Sequence, residues 1–80
     1  MLADIETLKK TIGIKQTTKA VEKGTVKKIY IAEDAEPHVT DKLKYLCKNK
    51  KVQVIYVEDM KGLGKACGID VGASVVGILD

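Results

Sequence analysis

Among the 80 residues of this chain, the stretch Gly13-Ile14-Lys15-Gln16-Thr17-Thr18-Lys19 carries the side chains best suited to hold a polyanion. Lys15, Lys19 and Lys23 recur every four residues and Gln16 stands three before Lys19. On a helix all four therefore share roughly one side. Ile14, Thr18 and Val21, with Ala20 beside them, fall on the opposite side and give that helix something apolar to pack. A glycine at the entrance lets another backbone come close, and the first free N–H groups of a helix can meet a phosphate. By itself a lysine row on a helix is ordinary solvated surface. Its meaning depends on what surrounds it.

The formal net charge is +3, and the excess is uneven. From Met1 to Ile31, Lys9, Lys10, Lys15, Lys19, Lys23, Lys27 and Lys28 stand against Asp4, Glu6 and Glu22, while acids gather at Glu33, Asp34, Glu36 and Asp41 and again at Glu58 and Asp59. Such polarity suits a polyanion approached from one side. The excess is modest, so affinity would rest on shape and a few specific contacts as well as on charge.

A chain of this length with 45% hydrophobic residues can bury one core, and residues 1–80 are expected to form a single domain. No apolar run approaches the ~20 residues of a membrane span, and the acidic, amphipathic start Met1-Leu2-Ala3-Asp4-Ile5-Glu6 is unlike a signal peptide, so no membrane partner and a cytoplasmic location are expected. Cys47 and Cys67 lie among apolar neighbours in helix-like segments and read as buried thiols. With His38 they make too few ligands for a metal, and no cofactor is expected. Catalysis has little to stand on: one histidine, a lone Ser74 at a strand start and no phosphate-cradling P-loop.

The elements that must position these residues follow from periodicity and punctuation. Asp4 to Lys10 predicts a short helix with Ile5 and Leu8 inward and Asp4 near its positive end. Lys15 to Lys23 predicts a second, stopped by Gly24. Lys27 to Ala32 predicts a strand covered on both faces. Pro37 opens a helix with Val39, Leu43, Leu46 and Cys47 inward, running to Lys48-Asn49-Lys50-Lys51. Val52 to Val57 predicts the next strand, and Asp59 caps a helix from Met60 to Cys67, closed by Gly68, with Leu63 and Ala66 inward and Lys61 and Lys65 outward. Val75 to Leu79 supplies the last strand and Thr11 to Ile14 an extra one. Tyr30, Tyr45 and Tyr56 fall in or beside core elements and are not expected to stack on bases. The expected class is α/β, a three-layer α/β/α sandwich with a mixed sheet of about four strands.

Gly13 through Lys19, Ile31-Ala32-Glu33-Asp34-Ala35-Glu36-Pro37, Tyr45-Leu46-Cys47 and Leu63-Gly64-Lys65-Ala66-Cys67-Gly68 together resemble the kink-turn-binding ribosomal protein family, the L-seven-A-e and L-thirty-e group. The resemblance covers about Leu8 to Asp80 and preserves motif order and spacing. It implies an α/β/α sandwich that binds RNA with a sharply bent helix-bulge-helix element, where tandem sheared G·A pairs follow a short bulge. Family members carry asparagine and glutamate where this chain has Lys15 and Gln16, whereas Gly13 and Lys19 match. Lysine can donate to guanine O6 and N7, and glutamine can both donate and accept. The Lys-Gln pair and the small size look like the short bacterial members of the group.

The resemblance further implies that Ile69-Asp70-Val71-Gly72-Ala73 packs over bulged nucleotides and that Glu36 reaches a flipped-out base. Family members place an arginine where this chain has Val71, and Asp70 adds a negative charge, so binding is expected to be weaker or differently selective. Gly68 and Gly72 would let backbone approach nucleotide closely. From the residues alone, Glu36 could equally cap the helix after Pro37, Lys61 and Lys65 could be plain surface, and Ile69 and Val71 could be loop anchors. The expected RNA-binding residues are thus Gly13, Lys15, Gln16, Lys19, Glu36, Ile69, Val71, Gly72 and Ala73. The implied function is a monomeric, non-enzymatic protein that stabilises kink-turn RNA, ribosomal RNA among the candidates. The alternative is a ribosome-associated protein-interaction module that kept the fold and lost the RNA face.

Overall fold

The computed structural model describes residues 2–80. An N-terminal 3-10 helix, Leu2–Thr7, leads into β1 (Lys10–Ile12), α1 (Ile14–Lys23), β2 (Val26–Ala32), α2 (Pro37–Lys50), β3 (Gln53–Val57), α3 (Met60–Ala66) and β4 (Val75–Leu79). The strands form one sheet in the order β1-β4-β2-β3. β1 and β2 both pair antiparallel with β4, and β2 pairs parallel with β3. The expected mixed four-stranded sheet is thus present.

Pleating sorts the strand residues to two faces. Ile29 and Ile31 of β2 join Val21, Leu43 and Cys47 under α1 and α2. Tyr30 and Ala32, the alternate residues, join Ile5, Leu63 and Cys67 under the 3-10 helix and α3. This is why β2 reads as a continuous apolar run: both its faces are covered. Ile29, Ile31 and Ile78 are essentially removed from water, and each such burial contributes roughly 1.5–3 kcal/mol.

Helix ends follow local chemistry. Gly24 closes α1 in the left-handed region at φ 76°, where glycine bears no Cβ penalty. Asp59 caps α3, its side chain accepting from the Gly62 N–H at 2.6 Å. Pro37 takes the first position of α2, where a missing N–H costs nothing.

Several expectations need correction. The first helix ends at Thr7 and Lys10 belongs to β1, because pairing with β4 claims the backbone that a longer helix would have used. Ile5 is buried as expected, but Leu8 lies past the helix end and is exposed; the expected place of Asp4 falls outside the described side chains. On α1 it is Thr17, not Thr18, that joins Ala20 and Val21 in the interior. Tyr30 is buried, whereas Tyr45 and Tyr56 are exposed. Tyr45 sits two residues from both Leu43 and Cys47, so it lies on the side of α2 away from them. Tyr56 is on β3, the last strand of the sheet, where no neighbouring strand covers it. Among the described residues no helix is long and apolar enough to cross a membrane.

Candidate nucleic-acid interface

The topology gathers four connections at one end of the sheet. Parallel β2 and β3 both finish there, β1 finishes there, and antiparallel β4 begins there. Short backbone bonds stitch the connections together. Gly13 N–H donates to Val75 O at 2.8 Å, Ala32 N–H to Ser74 O at 2.9 Å, Glu33 N–H to Val57 O at 2.8 Å and Ala73 N–H to Met60 O at 3.0 Å. The Asp34 side chain adds a further link by accepting from the Met60 N–H at 2.8 Å. The result is a rim onto which α1, α2 and α3 all open with their positive ends.

At α1 the rim is left open. Gly13 holds φ 98°, and no side chain caps the helix, so its first N–H groups have no side-chain acceptor. Lys15, Gln16 and Lys19 are all exposed along its first turns. Their aim is fixed from beneath by Thr17, fully buried, whose Oγ1 lies 2.9 Å from Thr11 Oγ1 on β1. Gly77 of β4 makes room for that pair: a Cβ there would stand 2.7 Å from Thr11 Oγ1 and 3.0 Å from Thr17 Cγ2. The hydroxyl contact between β1 and α1 therefore orients the polar face.

The loop between α3 and β4 forms the neighbouring stretch of the rim. Val71 is 69% exposed at its crest. Ile69 is half-buried and packs against the core, its N–H bonded to Gly64 O at 3.1 Å. Ala73 is buried, so its side chain belongs to the core and only its backbone reaches the rim. Gly72 lies close on α3, where a Cβ would meet the Met60 backbone at 3.3 Å. Gly64 is tighter still. A Cβ there would stand 1.9 Å from the Val71 carbonyl oxygen, so helix and loop touch backbone to backbone. That role was missed on reading the sequence, which pointed to Gly68 and Gly72; the available signal was a glycine inside an otherwise helical pattern. Gly68 does take a positive φ of 81°.

Between α3 and this loop runs a shallow groove of about 340 Å³ lined by Lys61, Lys65, Ile69, Asp70, Val71 and Gly72. It places two cations beside Asp70. Glu36 occupies the N-cap position of α2 without a side-chain capping bond and stays exposed, its carboxylate free to accept from a ligand. Gly13, Lys15, Gln16 and Lys19 thus share the α1 opening, Ile69 to Ala73 share the adjoining loop, and Glu36 opens the next helix. The thiols of the buried Cys47 and Cys67 are pushed above their ordinary range by desolvation.

Comparison with known proteins matches this geometry to one group. Residues 5–80 match the ribosomal protein L7Ae/L30e/S12e/Gadd45 family, and the chain belongs to it. It is 50% identical over 66 residues to an RNA-binding protein of Caldanaerobacter subterraneus subsp. tengcongensis, covering 82% of this chain and 80% of the relative. It is 52% identical over 67 residues to an RNA-binding protein of Halalkalibacterium halodurans, covering 84% and 82%. Among solved structures, the 15.5kD RNA binding protein of Giardia lamblia superposes with a TM-score of 0.90 at 25% identity, over 99% of this chain and 70% of that one. A protein of unknown function from Bacillus halodurans superposes at 0.91 with 28% identity, over 99% and 83%.

Proposed function

We propose that this protein binds RNA without catalysis and stabilises a kink-turn, the rim meeting the sharply bent element where tandem G·A pairs follow the bulge. The observation that carries this reading is the uncapped start of α1, seated against β4 by Gly13 and flanked by exposed Lys15, Gln16 and Lys19. Free helix N–H groups and lysines suit phosphates. Gln16, able to donate and accept, suits a base edge. The Val71 loop covers the bulged nucleotides with apolar surface, and Glu36 accepts from the exocyclic amine of a flipped-out base. RNA binding is supported by the relatives' names and by family membership. The family's ribosomal name supports a ribosomal RNA in the cytoplasm as the natural partner.

Because the rim fits the bent RNA and not its extended form, binding shifts the RNA toward the bend. One copy of the chain suffices for this. The test is a calorimetric titration with a generic kink-turn RNA beside the same RNA with its G·A pairs changed to Watson–Crick pairs. Charge reversal at Lys15 and Lys19 should abolish RNA binding; RNA affinity unchanged by that reversal would favour a protein-interaction module instead.

A further inference from the structure

The outer edge of β3 is built differently from the other edge of the sheet. β1 has three residues, begins with Lys10 and carries that side chain back onto the 3-10 helix, Lys10 Nζ donating to Glu6 O at 2.9 Å. Short length and a charge are the usual protections of an open edge. β3 has five residues, Gln53-Val54-Ile55-Tyr56-Val57, with neither a charge nor a proline among them. Glu33 N–H bonds to Val57 O; since a parallel pair alternates, Gln53, Ile55 and Val57 turn their backbone groups to β2, and Val54 and Tyr56 turn theirs outward. Tyr56 is 51% exposed, with Lys44 Nζ 5.4 Å from its ring centroid.

The flanks of this edge are oppositely charged. Lys50 and Lys51 precede it and Glu58 and Asp59 follow it. The geometry points to a second copy of this chain as the partner, the two β3 edges pairing antiparallel about a two-fold axis at Ile55 to continue the sheet across the dimer. In that register Val54 lies opposite Tyr56 of the second copy, so the outward N–H and C=O groups of both are satisfied. Beyond the strand ends, the basic flank of each chain, Lys50 and Lys51, faces the acidic flank of the other, Glu58 and Asp59. A two-fold contact must be self-complementary, and a segment basic at one end and acidic at the other is so only when antiparallel. β3 and β1 are opposite edges of the sheet, so the seam lies away from the α1 opening.

Sedimentation velocity of the intact chain tests this. From about 10 µM to about 1 mM, the average mass is expected to rise from that of one 8.7 kDa chain toward that of two. The pair Lys50→Glu with Lys51→Glu, acidic at both ends, and the single Glu58→Lys, whose far end keeps no net charge because Asp59 remains, should each associate at least tenfold more weakly alone. An equimolar mixture of the two should recover association. Hydrogen exchange on the unmodified chain gives a second readout: the Val54 and Tyr56 amides should slow as concentration rises. A mass fixed at one chain, variants that associate like the parent, a mixture that stays dissociated, or Val54 and Tyr56 amides indifferent to concentration would overturn the proposal.

Discussion

The amide of Gly13 donates to the carbonyl of Val75 at 2.8 Å, which fastens the start of α1 to the start of β4. Through that one bond the Lys15, Gln16 and Lys19 face and the loop that leads into β4 become two sides of the same rim. Neither segment could hold the other's position from sequence neighbourhood, since 61 residues separate the two ends of the contact, counted from Gly13 to Val75.

Gly64 bears the second half of the site. Replacing it with Ala puts a methyl group 1.9 Å from the Val71 carbonyl oxygen, a backbone atom that no rotamer change can move. The expected cost in urea denaturation is about 1–3 kcal/mol, the usual range for overpacking, with RNA affinity falling as the loop is displaced. An unchanged midpoint would mean that the loop yields without resistance.

Val71 is the complementary case. At 69% exposure it accepts a longer side chain without disturbing the core. Val71→Arg adds a donor for phosphate or a guanine edge and should tighten RNA binding. The parent's log affinity against log salt should have a slope of about −2 to −5, and the variant's should be steeper by roughly one unit. Weaker binding with the circular dichroism preserved would place residues 69–73 away from the RNA.

Much of this was legible in the chain and some was not. Gly24, Pro37 and Asp59 announced their helix ends because caps are local chemistry. The covered run of β2 announced a buried strand for the same reason. The boundary at Lys10 and the exposure of Tyr56 depend on which strand lies alongside, a relation between distant segments. Thr17 was hidden by chemistry, since a threonine is a weak core signal until its hydroxyl finds Thr11. In the candidate site the exposed charges were readable, whereas the burial of Ala73 and the contact of Gly64 with Val71 required the folded backbone.

The two buried thiols set a pH dependence. Desolvation raises both above the ordinary 9.0, the charge of Lys10 partly offsetting this at Cys67. In the unfolded chain they lose their protons near that ordinary value while the folded protein keeps them, so the unfolded state gains as pH climbs. Their contribution is fully present below about pH 9 and is lost above it, at up to about 1.4 kcal/mol per pH unit for each thiol. Urea midpoints at neutral and alkaline pH should therefore converge more in Cys47→Ala than in the parent. An equal alkaline decline in both would show that Cys47 does not contribute.

The most direct test of the proposed recognition is the paired calorimetric titration of kink-turn RNA and its Watson–Crick control. If Lys15, Gln16 and Lys19 meet the groove at the G·A pairs, the control should bind far more weakly, and Gln16→Ala should cost about 1–3 kcal/mol on the kink-turn alone. Equal affinity for the two RNAs, with Gln16→Ala indifferent to both, would reduce the rim to a polyanion-binding surface and contradict the account.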